Sequence, residues 1–203
     1  MRIITRAFAL MVLLAMAGQA HAGFIMTLTE TGGNVVLLGS GTANLAGLIF
    51  NNQNQIFSAV GPNYSAFATG PSGPVGPVDE YRTVTGPTSF GPGGLTAATS
   101  GTGDRFGIDR LLVNQVSTLV LVVPRNYVSG TTLNGSGTYV GSTLASLGAT
   151  PGTYLYTWGT GANADSLTLQ IGTAAVPEPS SLALCGIAGT LALGYSRVRR
   201  RGV

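Results

Sequence analysis

Residues 116–123 read VSTLVLVV and form the most apolar run between residues 23 and 171. Four of the eight residues are valine, and Pro124 follows directly. Valine favours strands because its branched side chain packs well on a pleated surface, whereas a proline cannot donate to the ladder of a sheet. The run therefore predicts a central strand that is buried on both of its faces.

Shorter runs on either side indicate more strands. In residues 24–29 apolar side chains alternate with others, as in a half-buried strand, and runs at 34–38, 55–60 and 81–85 are further candidates. Residues 153–158 and 166–171 predict a hairpin, because Leu167, Leu169 and Ile171 fall on one strand face. No window keeps a helical period with caps. We therefore expect an all-β domain over residues 23–171, an antiparallel β-sandwich.

Glycine shapes two other features. Residues 61–94 contain six Gly-Pro dipeptides, three of them in consecutive triplets from 70 to 78, which are too few for a collagen helix. This composition predicts a long surface loop with one strand near Tyr81. The sequence GSGT occurs at 39–42 and again at 135–138, and this echo suggests two similar hairpins in opposite sheets.

The N-terminus predicts a secretory signal peptide over residues 1–22. Arg2 and Arg6 precede the uncharged run AFALMVLLAMA, and Ala20 and Ala22 form a small-residue signal peptidase site. We expect the mature chain to begin at residue 23. The alternatives are an uncleaved anchor or a buried helix.

The C-terminus combines a linker, an apolar stretch and a basic tail. Residues 172–179 form a small-residue linker that ends in Val-Pro-Glu-Pro, and residues 180–196 are uncharged. As a helix the 17 residues would reach about 26 Å, slightly less than a hydrocarbon core of about 30 Å. The arginines of residues 197–203 should stay cytoplasmic. A permanent membrane anchor and a buried amphipathic helix are the alternatives.

This order of features resembles the PEP-CTERM sorting signal. The matching residues are Pro177, Glu178 and Pro179 and, at the end of the chain, Arg197, Arg199, Arg200 and Arg201. The resemblance implies export by Gram-negative bacteria that make exopolysaccharide, and processing by an exosortase, a membrane-embedded cysteine protease. Residues 151–171 are also similar to the domain that often precedes this tail. The implied partners are signal peptidase, the exosortase and, transiently, the inner membrane.

The charge of the whole chain is misleading. All ten basic residues are arginine, and six of them lie in the two terminal segments. The part in between has four arginines against seven acids, a net charge of −3. The sequence pI near 9.4 therefore does not indicate nucleic acid as a partner.

Residue types limit the chemistry of the mature domain. The single His21 and the single Cys185 lie in the two terminal segments, and the chain has no lysine. A domain without them has no Ser-His-Asp triad, no cysteine nucleophile, no zinc site of the His/Cys kind and no disulfide. No pattern indicates a cofactor or a metal, and no D-x-D-x-D-G calcium loop is present.

Carboxylates are the remaining candidates for catalysis. A glycosidase needs two of them about 5 to 9.5 Å apart, and Asp104 and Asp109 form the most plausible pair. Arg105 and Arg110 lie beside them, so a solvated ion-pair cluster is the alternative.

A stripe of aromatic residues is the candidate glycan-binding surface. Tyr154, Tyr156 and Trp158 share one face of a strand, where flat rings could meet successive sugars. The alternative is that this face belongs to the core.

We therefore expect an exported surface or extracellular-matrix protein that acts without catalysis in an exopolysaccharide or biofilm. Its surface is low in charge and rich in glycine, threonine, serine and asparagine, which suits many weak contacts. A carbohydrate-binding module and a carboxylate-dependent glycan hydrolase are the alternative functions. Before processing, the apolar stretch would hold the protein in the membrane; afterwards it would reach the cell surface or the medium.

Overall fold

The computed structural model describes residues 23–113 and 116–172, and these residues form an all-β structure of two sheets. One sheet has six strands: β1 (Phe24–Thr31), β2 (Asn34–Gly41), β8 (Ser100–Gly103), β11 (Leu133–Val140), β12 (Gly152–Trp158) and β13 (Asp165–Ile171). The other has seven strands: β3 (Ile49–Ile56), β4 (Ala59–Gly61), β5 (Ala66–Ala68), β6 (Gly76–Arg82), β7 (Thr96–Ala97), β9 (Gly107–Val113) and β10 (Val116–Pro124). The predicted all-β class is confirmed for these residues.

The six-stranded sheet has the order β12-β13-β1-β2-β11-β8. The predicted hairpin of β12 and β13 is present, with Tyr156 opposite Leu167. The prediction of a purely antiparallel arrangement is wrong at one place, because β1 and β13 pair in parallel, with Phe24 opposite Leu167. The first and last strands of the domain therefore lie side by side within the sheet.

The seven-stranded sheet has the order β3-β6-β10-β9-β5-β4-β7. The apolar run of β10 lies between β6 and β9, as predicted for a central strand. Leu119, Leu121 and Val123 enter the main core, whereas Val120 and Val122 belong to a second buried cluster on the opposite face. A continuous apolar run is needed here because both faces of the strand are covered.

The main core lies between the two sheets. Phe24 of β1 meets Phe106 with ring centroids 4.6 Å apart, and Phe67 of β5 meets Tyr156 of β12 at 5.4 Å. Each of these pairs joins the six-stranded sheet to the other side of the core. The architecture is therefore sandwich-like.

The segment 61–94 contains the predicted strand near Tyr81, which is part of β6, but it is not a surface loop throughout. It contains β5 and β6, and residues 66–70 are all buried. Arg105 stabilises its glycine-proline part by donating hydrogen bonds from Nη2 to the carbonyl oxygens of Pro71 (3.2 Å) and Pro74 (2.9 Å). Proline has no backbone N–H to donate to a neighbouring strand, but its carbonyl group still accepts. The guanidinium of Arg105 supplies the donors for these carbonyl groups.

Two predicted strand positions are also corrected. The run 55–60 is divided between β3 and β4, because the buried Ser58 lies between them and donates its hydroxyl to the carbonyl oxygen of Ala68 at 2.9 Å. The strand predicted at 81–85 is β6, which ends at Arg82. The next residue, Thr83, has a φ of 79°, and this left-handed conformation ends the strand.

The GSGT echo marks neighbouring strands and not hairpins in opposite sheets. Gly39 of β2 lies directly opposite Gly135 of β11 in the same sheet. A Cβ atom at Gly39 would approach the Phe106 ring to 2.7 Å, and one at Gly135 would approach the carbonyl oxygen of Asp104 to 2.4 Å. These glycines face the core, where only a bare backbone leaves room for the segment 104–106. The strand β8 repeats the same alternation as Ser-Gly-Thr-Gly.

Within residues 23–113 and 116–172, no helix has both the length and the apolar character required to cross a bilayer.

Candidate functional site

The outer face of the six-stranded sheet is a broad surface without charge. Alternation along each strand turns one set of side chains to the core and the other set outward. We call this outward set the outer face. It consists of Ile25, Thr27, Thr29, Thr31, Asn34, Val36, Leu38, Ser40, Ser100, Thr102, Asn134, Ser136, Thr138, Val140, Thr153, Leu155, Thr157, Ser166, Thr168 and Gln170. Fifteen of these twenty residues carry a hydroxyl or an amide, and none carries a charge.

The strand register arranges these side chains in rows. One row runs from Thr153 through Gln170, Thr27 and Leu38 to Ser136. Neighbours in a row are about 4.8 Å apart, and successive outward residues of one strand are about 6.8 Å apart. The outer face thus presents a regular two-dimensional array of hydrogen-bonding groups.

Some of the hydroxyl and amide groups bind one another. Ser40 donates from Oγ to Asn134 Oδ1 at 2.8 Å, and the hydroxyls of Thr102 and Ser136 lie 3.0 Å apart. A shallow depression of about 400 Å³ lies beside the first pair, with Ile25 and Leu38 among its lining residues. These two side chains are 43% and 49% exposed, so apolar contact area lies among the polar groups.

The aromatic residues predicted to bind glycan do not form an exposed surface. Tyr156 and Trp158 are buried in the core, and Tyr154 is half-buried and packs against it. Trp158 donates from Nε1 to the carbonyl oxygen of Asn44 at 2.8 Å, which satisfies its only polar group. The structure corrects the glycan-binding prediction and supports the alternative, because these rings fill the space between the sheets.

The buried tyrosines have perturbed acidity. Burial raises the pKa of Tyr156 to about 12, although a hydrogen bond with Ser65 lowers it in part. The two hydroxyl oxygens are 2.5 Å apart. Burial also raises the pKa of Tyr139. Both phenols therefore stay protonated at neutral pH, and Tyr156 is one half of a hydroxyl pair that joins β12 to residue 65.

Asp104 and Asp109 have different surroundings in the fold. Asp104 accepts a hydrogen bond from the backbone amide of Asn134 to Oδ2 at 3.0 Å. Asp109 lies in β9 and lines a cavity of about 170 Å³ whose lining residues do not include Asp104. Burial raises the pKa of Asp109, whereas a hydrogen bond from the Arg110 amide lowers it.

Other carboxylates bind parts of the fold. Glu80 is fully buried, and it accepts hydrogen bonds from the side-chain amides of Asn54 at 2.5 Å and Asn51 at 3.3 Å. Glu30 accepts from the amide of Leu144 at 2.6 Å beside a cavity of about 680 Å³, and Asp165 accepts from the amide of Asn44 at 2.7 Å. Among residues 23–113 and 116–172, no group of three or more potential ligands is placed to hold a metal ion.

The predicted sorting and processing residues lie outside the described residues. This applies to Ala20 and Ala22 of the signal peptidase site and to Pro177, Glu178 and Pro179 of the sorting motif. It also applies to His21, Cys185 and the terminal arginines, which are Arg197, Arg199, Arg200 and Arg201.

The outer face was not predicted from the sequence as a candidate site, although the sequence contains a pattern that indicates it. The GSGT echo and the Ser-Leu-Thr-Leu-Gln pattern of β13 alternate core residues with hydroxyl or amide residues. The alternation predicts one wet face per strand. It does not say that six such faces join into a single surface, because that depends on which strands pair.

The fold and the outer face define an all-β, sandwich-like protein with one extended neutral surface. Comparisons of the chain with protein-family models, with curated proteins and with solved structures found no match.

Proposed function

We propose that this chain is an exported, non-catalytic surface or matrix protein that binds uncharged extracellular polysaccharide through the outer face. The observation that carries the proposal is the absence of any charged side chain among the twenty residues of that face. A neutral polysaccharide has many hydroxyl groups and no fixed charge, and hydroxyl and amide side chains both donate to it and accept from it.

The arrangement of the face supports many weak contacts. A regular array on a rigid sheet meets a repeating polymer without a large ordering cost, because the strands already hold the side chains in place. Ile25 and Leu38 add apolar area for the carbon faces of sugars. Individual contacts are weak, so retention would arise from several sites along one polymer.

Export and sorting complete the proposal. The predicted signal peptide would take the domain across the inner membrane, and the PEP-CTERM-like tail would hold it there until an exosortase acts near Pro177, Glu178 and Pro179. Both segments would then be absent from the mature protein. Residues 23–172 carry four arginines against six acids, and their net charge of −2 favours neutral over anionic polymers, since like charges repel.

The binding proposal is tested by co-sedimentation of the purified chain with insoluble neutral glucans and with an anionic polysaccharide. We expect retention on the neutral polymer that survives 0.5 M salt, because contacts between uncharged groups are not screened. Leu38→Lys should reduce retention at least about fivefold, since it introduces a long charged side chain in the centre of the face. The control is Val128→Lys, at a position that is 70% exposed in a loop outside the face. Equal retention of both variants would refute binding through the outer face.

The sorting proposal has its own test. Mass spectrometry of the protein released by an exopolysaccharide-producing host should give an N-terminus at Gly23 and a C-terminus before Arg197. Released protein that still ends at Val203 would refute processing. Neither result depends on whether the domain binds polysaccharide.

A further inference from the structure

We infer that the edge strand β3 is a self-pairing surface, through which two copies of this chain join their seven-stranded sheets in an antiparallel, two-fold dimer. In the described part of the chain, β3 pairs with β6 on one side only. The other side carries backbone donors and acceptors that a further strand can use. The partner is a second copy, for reasons of edge length, charge and side-chain chemistry.

The other sheet edges are short or covered. At the opposite end of the same sheet, β7 has only two residues, and β8 at one end of the six-stranded sheet has four. The edge strand β12 is covered near Thr157, which exchanges two backbone hydrogen bonds of 2.8 and 2.9 Å with Thr85. Gly86 lies against the same strand, next to the carbonyl oxygen of Leu155. Among the described strands, β3 is therefore the long edge without such protection.

The sequence of β3 lacks the residues that usually protect an edge. It reads IFNNQNQI over eight residues, with no charge and no proline. Proteins commonly block edges with lysine, other charges or proline, because a flat neutral edge recruits another chain. Asparagine and glutamine are also self-complementary, since each side-chain amide both donates and accepts. Identical amide side chains can therefore bind one another across a two-fold axis, whereas identical charges would repel.

The side-chain amides of β3 fall into two groups, one that binds Glu80 and one that stays exposed. Asn51 and Asn54 turn back to β6 and donate to the buried Glu80 carboxylate. The register shift between Phe50 and Asn52 is a bulge that brings Asn51 into reach of Glu80. Asn52, Gln53 and Gln55 stay exposed, although the Gln55 backbone amide already donates to Asn54 Oδ1 at 2.8 Å. Residues 52–55 are thus held on the side of β6, and their other side is exposed.

Large apolar side chains lie at both ends of the strand. Ile49 and Phe50 are 56% and 50% exposed at its start, and Phe57 is 37% exposed just after its end. In an antiparallel pair whose two-fold axis passes through Gln53, Gln53 lies opposite its own copy and Ile49 of one strand lies opposite Phe57 of the other. The pairing would then cover apolar side chains at both ends of the amide-rich centre. A parallel pair would instead place the two Ile49 ends together and the two Phe57 ends together.

Because the contact uses the same edge of both copies, it closes after two chains. A two-fold contact is isologous and leaves no second copy of the edge free. The expected assembly is a dimer with a continuous sheet of two seven-stranded halves, and not a fibre. This assembly is independent of the outer face, which lies on the other sheet.

Cysteine cross-linking tests the pairing in the full chain, purified in a mild detergent. The native Cys185 is first replaced by serine, and single cysteines are placed at Gln53, at Gln55 or, as a control, at the exposed edge position Thr153 of β12. Residues opposite one another across such an axis are about 4.5 to 5.5 Å apart, within disulfide reach. We expect disulfide-linked dimers from position 53, which lies on the axis, and none from position 55 or 153. Absence of dimers from position 53, or an equal yield from the control at position 153, would overturn the inference.

Analytical ultracentrifugation supplies the second measurement. Gln53→Lys places two like charges near the axis and should raise the dissociation constant of the dimer at least about tenfold. Gln53→Asn keeps the amide and should dimerise as the native chain does, and Thr153→Lys is the matched control. Unchanged melting temperatures would show that the variants fold. A native chain that stays monomeric at 100 μM, or that forms open fibres, would contradict a closed dimer.

The two proposals fail separately. Gln53→Lys should bind neutral polysaccharide with the affinity per chain of the native protein, and Leu38→Lys should still dimerise. Loss of dimers in Leu38→Lys would mean that the two chains associate through the outer face, and this result would overturn pairing through β3.

Discussion

The two sheets of the molecule use alternation along a strand in different ways. The strands of the six-stranded sheet place apolar side chains and glycine on the core side, and hydroxyls on the outer face. In the seven-stranded sheet, β10 buries consecutive residues such as Leu121 and Val122 on opposite faces. The same period of two thus gives one neutral wet surface in the six-stranded sheet and one strand, β10, that is covered on both faces. Exposure of a face, and not strand propensity, decides which residues a strand can carry.

Buried charge follows the same division. Asp79 and Glu80 of β6 are adjacent and both buried, and Asp79 accepts from the amide of Asn126 at 2.8 Å. On the outer face of the six-stranded sheet there is no charge, although solvation there would cost little. Solvent access alone therefore does not explain where the carboxylates lie.

Alanine substitution should give the largest effects and tests whether the two sheets differ in how many faces are buried. Leu121→Ala should lower the free energy of unfolding by about 2–5 kcal/mol and Val122→Ala by about 2 kcal/mol, since each leaves a cavity on a covered face. In β13 the adjacent pair should differ: Leu169→Ala costs about 2–5 kcal/mol and Thr168→Ala less than about 0.5 kcal/mol. Urea unfolding measures all four. A small effect of Val122→Ala would mean that the second face of β10 is not buried.

A glycine substitution tests where the sheets approach each other. Gly135→Ala would place Cβ 2.4 Å from the carbonyl oxygen of Asp104, a backbone atom that cannot rotate away. We expect a loss of about 1–3 kcal/mol in thermal or urea unfolding. The control is Gly73→Ala, where a Cβ would meet nothing within 4 Å. Equal stability of the two variants would show that β11 does not contact the segment that contains Asp104.

Alkaline pH should reveal the phenols on the core side of the six-stranded sheet. The pKa of Tyr156 is raised from 10.0 to about 12, so its contribution to stability is complete below pH 10. Above pH 10 the unfolded chain releases this proton while the folded chain keeps it. The free energy of unfolding should therefore fall by about 1.4 kcal/mol per pH unit for this tyrosine, until about pH 12.

Tyr156→Phe separates this effect from the titration of other groups. It should make the fall between pH 10 and 12 shallower, although loss of the Ser65 hydrogen bond lowers stability at neutral pH by about 1 kcal/mol. Urea unfolding at several pH values gives both numbers. The same slope in the variant and the native chain would contradict a raised pKa at this position.

The strands that could be predicted are those whose own pattern decides their environment. β10 is uniformly apolar, and β1 and β13 alternate, so their burial follows from local sequence. β5 is only Ala-Phe-Ala within a segment rich in glycine and proline, and its burial depends on pairing with β4 and β9. Such pairing joins residues far apart in the chain, which a local pattern does not encode.

The candidate site shows the same limit. Tyr156 and Trp158 alternate with Leu155 and Thr157, and a tyrosine or tryptophan suits either the core or a sugar-binding surface. The contact between Tyr156 and Phe67 across the core shows that these rings lie on the core face of the strand. For the outer face, the sequence of each strand predicts a few exposed hydroxyls. The register that aligns them in rows depends on which strands pair, and this is seen only in the structure.

The parallel pairing of β1 with β13 also sets when the domain can finish folding. Phe24 pairs with Leu167, so the first strand stays without one neighbour until almost the whole domain is available. Contacts between residues so far apart in the chain form slowly, because the long intervening loop must be closed first. A chain that travels N-terminus first therefore completes this sheet only after its last strand has arrived. The final step in folding of the domain thus takes place at its C-terminal end.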